Sequence, residues 1–139
     1  MRLCRKMFWK TLGCSAMRIL LDTHVFLWWN WQDAKLPGHL RKAIESSQNS
    51  VFVSAVTVWE IAIKRASGKL VFDAPIGPAI EGHRFRSLPI SVEHAEWAGS
   101  LPSLHRDPFD RLLVAQAHLE GMTLATVDEL ILRYQVPHL

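Results

Sequence analysis

Arg18-Ile19-Leu20-Leu21-Asp22-Thr23-His24 runs three apolar residues straight into a carboxylate and then into polar turn formers. A short apolar run without alternation suits a strand buried on both faces, as in a parallel sheet. Asp22 then stands at the carboxyl end of that strand, where open α/β sheets place their binding crevices. A carboxylate at the edge of a core costs free energy unless something pairs with it. The sequence supplies no obvious cation for it, only more acids at or near the starts of apolar segments: Glu60, Asp107, Asp110 and Asp128.

Outward from this strand, the chain alternates between short apolar runs and helical patterns. His24 to Trp31 is apolar and aromatic and reads as a short helix. Its Trp28 and Trp29 suit packing against a sheet better than stacking on bases. Pro37 opens a helix to about Ser47, with Leu36, Leu40 and Ile44 at helical spacing. Val51-Phe52-Val53 is a second buried strand. Ser54 caps a helix from Ala55 to Ser67 that Gly68 closes. Lys69 to Phe72 reads as a short extended piece. Residues 73–84 carry Pro75, Gly77, Pro78 and Gly82, so a helix there is brief. Arg86 to Ile90 reads as a third strand, and Ser91 caps a helix to about Ser100. Asp107-Pro108-Phe109-Asp110 opens the strongest helix, stopped by Gly121. Met122 to Thr126 is a fourth strand, followed by Asp128, a helical turn over Leu130 to Tyr134 and a short last strand near Val136. The expected class is α/β, one domain with a central, mostly parallel sheet of four to five strands flanked by helices.

Composition narrows the function classes. The 139 residues suffice for one core, and 49% of them are apolar. No apolar run approaches the roughly 20 residues of a membrane span. The net charge of +3 is uneven. Residues 1–16 hold Arg2, Arg5, Lys6 and Lys10 and no acid, so the remaining chain is near neutral. Cys4 and Cys14 lie in the same extension. That placement excludes a disulfide framework within the domain and suits a reducing, cytoplasmic setting. Lys10 interrupts the apolar part of the extension, so it lacks a signal-peptide core. Met17 directly precedes the first strand, and residues 1–16 read as a dispensable tail on a domain spanning 17–139.

Each acid also has a purely structural use. Asp22 can cap the helix after it, and Glu60 can pair with Lys64 one turn on. Asp107 fits an N-cap with Pro108 at the first helical position, which leaves Asp110 serving the helix dipole. Asp128 can start a turn. Taken together, however, two acids follow buried strands, and two helix starts belong beside those strand ends. Converging carboxylates without matching Lys or Arg repel one another. A hard divalent cation resolves the repulsion, and such a cluster suits phosphodiester hydrolysis. The seven histidines are scattered, with no metal or nucleophile motif, and His24 is the only one read as adjacent to the acidic site.

With these residues in view, the chain resembles a PIN domain, specifically a VapC-type toxin of a type II toxin–antitoxin pair. The matching stretches are Met17 to Trp29, Ser54 to Lys64, Asp107 to Ala117, and Leu124-Ala-Thr-Val-Asp128. The resemblance implies that Asp22 and Asp110 are metal ligands, that Glu60 is the second acid of the site and that Asp128 is its fourth, more variable one. Asp107 remains a helix cap, and whether it also contacts the metal is left open by the resemblance. It further implies Mg²⁺- or Mn²⁺-dependent endoribonuclease activity on tRNA or rRNA, a cognate antitoxin that blocks the site, and a homodimer. The tail and the basic pair His105-Arg106 depart from the family pattern. Two alternatives stay open beside it: a haloacid-dehalogenase-type phosphatase, which wants an acid where His24 stands, and a PIN-fold binding module without catalysis.

Overall fold

The computed structural model describes residues 16–134 and 136–139. Four strands form one sheet in the order β3-β2-β1-β4, with every pairing parallel. They are β1 (Arg18–Leu21), β2 (Ser50–Ser54), β3 (Arg86–Leu88) and β4 (Thr123–Ala125). Helices α1 (Thr23–Trp31) and α2 (Gly38–Glu45) join β1 to β2, and α3 (Ala55–Ala66) with α4 (Ile76–Gly82) joins β2 to β3. Helices α5 (Val92–Ser100) and α6 (Pro108–Glu120) lead to β4, and α7 (Glu129–Leu132) follows it.

The apolar run of β1 has no alternation because helices cover both faces of the sheet. Ile19 and Leu21 enter one core with Val25, Phe26, Leu40, Ile61 and Ile80. Leu20 enters the other, with Leu113, Val114, Ala117 and Ile131. All three strand residues are fully buried. Because β1 lies between β2 and β4, the chain leaves it toward one side and returns on the other. That reversal makes the carboxyl ends of β1 and β4 the topological switch point, the usual crevice of such sheets.

The helix boundaries follow capping chemistry that the sequence advertised. Ser54 accepts from Val56 N, Ser91 from His94 N, and Asp107 from Phe109 N and Asp110 N, while Gly121 adopts a left-handed φ of 65° after α6. Several expected strand boundaries contract. Strand β3 stops at Leu88, because Pro89 has no N–H to donate to a ladder. Residues 69–72 join no sheet; Phe72 is buried and its carbonyl accepts from Arg65 Nη1. The expected last strand is a single parallel bridge between Leu124 and His138, beside Pro137, whose ring again removes a donor. Helix α2 ends two residues early, at Glu45, with Ser46 closing it. The reading of residues 1–16 as a dispensable tail concerns a stretch that, up to residue 15, lies outside the described residues.

Candidate metal centre

The site grows from the end of β1. Asp22 N donates to Ala125 O across the β1–β4 gap, which ties the strand ends together. The Asp22 carboxylate is 2% exposed. Its Oδ1 accepts from Val25 N at 2.8 Å and caps α1, while its Oδ2 accepts from the Thr126 hydroxyl. Burial pushes its carboxyl up from 3.8 to about 6, against the lowering effect of those two hydrogen bonds, and the charge of Asp128 adds a smaller upward push.

Glu60 reaches the same crevice from α3 and is likewise buried. Thr23, the residue after Asp22, donates its hydroxyl to Glu60 Oε1 at 2.6 Å, and Lys64 Nζ lies 2.6 Å from Oε2. The i,i+4 pairing read from the sequence therefore exists, and so does the link between Glu60 and the β1 end. Thr57 Oγ1 sits 3.3 Å from Thr23 Oγ1 and completes this hydroxyl group.

The third element is the start of α6. Asp107 Oδ1 caps the helix by accepting from Phe109 N at 2.9 Å and Asp110 N at 3.4 Å. Asp110, one turn in, accepts from His105 Nε2 at 2.7 Å, and the same nitrogen lies 3.6 Å from Asp128 Oδ2. Burial first, then the charge of Asp107, pushes the Asp110 carboxyl up from 3.8 to about 7, with His105 opposing. Donor atoms of His105, Asp107 and Asp110 all lie within 4.8 Å of one another. Asp128 caps α7 through Oδ1, which accepts from Leu130 N at 2.8 Å.

Two expectations need correcting. The acids are not all without a cation, since Lys64 meets Glu60, and His105 Nε2 lies between Asp110 and Asp128. Nor is His24 alone among the histidines in adjoining these acids. The backbone of His105 is fixed by its N–H donating to Tyr134 Oη at 3.0 Å and its carbonyl accepting from Arg111 Nη1 at 3.3 Å. Sequence inspection also passed over Thr23 and Thr126, whose hydroxyls hold Glu60 and Asp22. Their only signal was position, a hydroxyl beside each strand-end acid.

A carboxylate set of this kind fits a hard divalent cation, which prefers oxygen donors. Burial is the main cause of both raised carboxyls, Asp22 and Asp110.

Several known proteins are similar to this chain in sequence or fold. Ribonuclease VapC22 of Mycobacterium tuberculosis is 29% identical over 122 residues, covering 86% of this chain and 93% of that protein. Among solved structures, VapBC2 from Rickettsia felis bound to a DNA fragment from their promoter superposes with a TM-score of 0.63 at 17% identity, over 88% of this chain and 98% of that one. DNA-bound VapBC from Salmonella typhimurium gives 0.63 at 16% identity, over 88% and 97%. At those identities the structures speak for the fold alone. The profile of the PIN domain matches residues 19–136, which takes in β2 to β4, all of β1 but Arg18, and every acid described above. The chain belongs to the PIN domain family.

Proposed function

We propose that this chain is a divalent-cation-dependent endoribonuclease, a VapC-type toxin that a cognate antitoxin holds inactive. The observation that carries the proposal is the set of acids at the β1–β4 switch point, built by PIN-family stretches in the family's order. The similarity to a ribonuclease over 93% of that protein's length supports the reaction class. Solved neighbours that are VapBC complexes support an antitoxin as partner. A tRNA or rRNA target and a homodimer come from the family resemblance. A phosphatase of the haloacid-dehalogenase type lacks its second acid here, because position 24 is the histidine inside α1.

In this reading Asp22 and Asp110 hold Mg²⁺ or Mn²⁺, and Glu60 and Asp128 complete the acidic site, as the family resemblance implies. When bound, the cation supplies Lewis-acid stabilisation of charge developing on a phosphodiester. The chain itself supplies orientation and charge. Val25 N and the Thr126 hydroxyl fix the plane of the Asp22 carboxylate. The Thr23 hydroxyl and Lys64 fix Glu60 from two sides. His105 lies 2.7 Å from Asp110 through Nε2, and its Nδ1 faces the Asp107 N–H at 3.5 Å, so the ring is held between the two acids of the α6 start. Incubation of the purified chain with RNA tests the proposal. Cleavage should require Mg²⁺ or Mn²⁺ and vanish in Asp22→Asn; cleavage that persists in excess EDTA refutes it. No helix among the described residues is long and apolar enough to cross a membrane.

A further inference from the structure

The end of the sheet opposite the acids carries a second polar depression. A cavity of about 380 Å³ opens there between the end of α2 and the turn into β3. Ser46, Asn49, Ser50, Arg84 and Arg86 line it, with Glu45 as its one acid. Both arginines are exposed. Among the described residues, neither guanidinium has a hydrogen bond or an ion pair. Arg18, Arg41, Arg65 and Arg111, by contrast, all donate to backbone carbonyls.

Arg84 also stands where the backbone favours glycine. Helix α4 ends in a Schellman arrangement, with Phe85 N donating to Ile80 O at 3.1 Å and Arg84 N to Glu81 O at 2.9 Å. Ile80 and Phe85, the apolar pair of that motif, are both buried. The motif puts Arg84 at φ 63°, in the left-handed region that disfavours any residue with a Cβ. Gly82 lies two positions too early to relieve it. An exposed, unpaired side chain returns nothing in packing for that strain. What it provides is a guanidinium on the wall of a polar cavity.

We propose that this cavity is a phosphate-binding site that grips the backbone of an RNA substrate away from the acids, with Arg84 and Arg86 as its anion ligands. The inference rests on the ribonuclease reading above. Guanidinium groups joined by small hydroxyls and an amide are the side chains that hold phosphate oxygens and fix a nucleic acid in register without reading its bases. Strand β2 connects the two regions, since Ser50 lines the cavity and Ser54 ends the strand at the acid side. At about 3.3 Å per residue they are roughly 13 Å apart along the strand, a span that a folded RNA covers. Met17 N donates to Asn49 Oδ1 at 3.0 Å, which fixes the asparagine on the cavity rim.

The test is RNA binding by the full-length chain in EDTA, followed by fluorescence anisotropy of a labelled RNA hairpin over a range of salt concentrations. The double variant Arg84→Gly, Arg86→Gln should bind about tenfold more weakly, with a salt slope smaller by about two phosphate contacts. Its melting temperature should equal or exceed that of the wild type, because glycine suits position 84, and kcat on a short oligonucleotide should not change. Unchanged affinity and slope overturn the proposal, as does a lower melting temperature for Arg84→Gly alone. Inorganic phosphate at millimolar concentration should leave the RNA bound; displacement by it would mean a free-anion site instead. Failure of the ribonuclease reading shows separately, as RNA that binds but is not cut when Mg²⁺ or Mn²⁺ is supplied.

Discussion

Replacing Asp22 by Asn should make the metal-free protein more stable at pH 7. The carboxyl rises from 3.8 to about 6 in the fold because burial outweighs its two hydrogen bonds. At about 1.36 kcal/mol per pH unit, ionising it in the fold costs about 3 kcal/mol relative to the unfolded chain. Asparagine keeps the shape, and its Oδ1 still accepts from Val25 N. The other position turns from acceptor to donor and faces a Thr126 oxygen that already accepts from Asp128 N at 3.0 Å. Loss of that buried hydrogen bond costs about 1 kcal/mol, leaving a net gain of about 1–2 kcal/mol, or roughly 3–8 °C in melting temperature for a domain of this size.

The pH dependence has a definite sign. A raised folded pKa means the fold holds an extra proton between pH 3.8 and about 6. Wild type therefore loses stability as pH rises through that window, and below it the penalty is absent. The advantage of Asn should be full at pH 7 and gone near pH 4. Saturating Mg²⁺ should reverse the order, since a ligand stabilises the state that binds it. Thermal melts of both proteins at pH 4 and 7, with EDTA and with Mg²⁺, check all three statements. A metal-free Asp22→Asn protein that melts at or below wild type at pH 7 would show that the caps, not the burial, govern Asp22.

Asp107→Ala removes an N-cap and should cost about 1 kcal/mol in chemical denaturation, while Asp110→Asn should abolish cleavage with little loss of stability; reversed effects would exchange the two roles. Metal affinity should fall as pH drops from 8 to 6, because carboxyls at about 6 and about 7 must give up protons to bind; calorimetric titration in two buffers of different ionisation enthalpy would detect the released protons. Glu60→Ala should destabilise the fold by about 1–3 kcal/mol, since it leaves the buried Thr23 hydroxyl and Lys64 without their acceptor; a melt unchanged from wild type would remove Glu60 from the crevice. A chain beginning at Met17 should melt with the full-length protein, and a drop of several degrees would mean that the extension packs on the fold.

What the sequence made legible was local. Ile19-Leu20-Leu21 reads as a doubly buried strand because burial on two faces erases alternation. Asp107-Pro108 and Ser91 read as helix starts because capping acts within three residues. The contacts that finish the site are long-range and carry no local pattern. Thr126 meets Asp22 across 104 residues of chain, and Tyr134 holds His105 across 29. His94 had looked like one scattered histidine among seven. It is buried between Ser91 N, Glu120 and Gln116, and Gln116 in turn receives the Ser54 hydroxyl. Arg84 was hidden for a different reason. Gly82 advertises a helix stop, and only the hydrogen bonds of the turn show that the left-handed residue is two positions later.

The structural and chemical uses of these acids looked like rivals, and the oxygens show that they are not. In Asp22 and Asp128, Oδ1 accepts from a backbone N–H at a helix start, at 2.8 Å in both, while Oδ2 faces Thr126 or His105. In Asp107 both capping bonds use Oδ1 as well. A cap fixes the carboxylate plane by one oxygen and so aims the other. Helices α1, α6 and α7 are each begun by an aspartate that caps through Oδ1, which leaves Oδ2 of Asp22 for Thr126 and that of Asp128 facing His105. The helix N-termini also favour the charge thermodynamically, since their unpaired N–H groups carry partial positive charge. Capping is thus how this fold can hold several carboxylates close together before any cation arrives. Asp→Asn keeps the cap and its aim and loses the charge, whereas Asp→Ala loses both. Comparing the two substitutions at Asp22 and at Asp128 for metal affinity separates charge from orientation at each position.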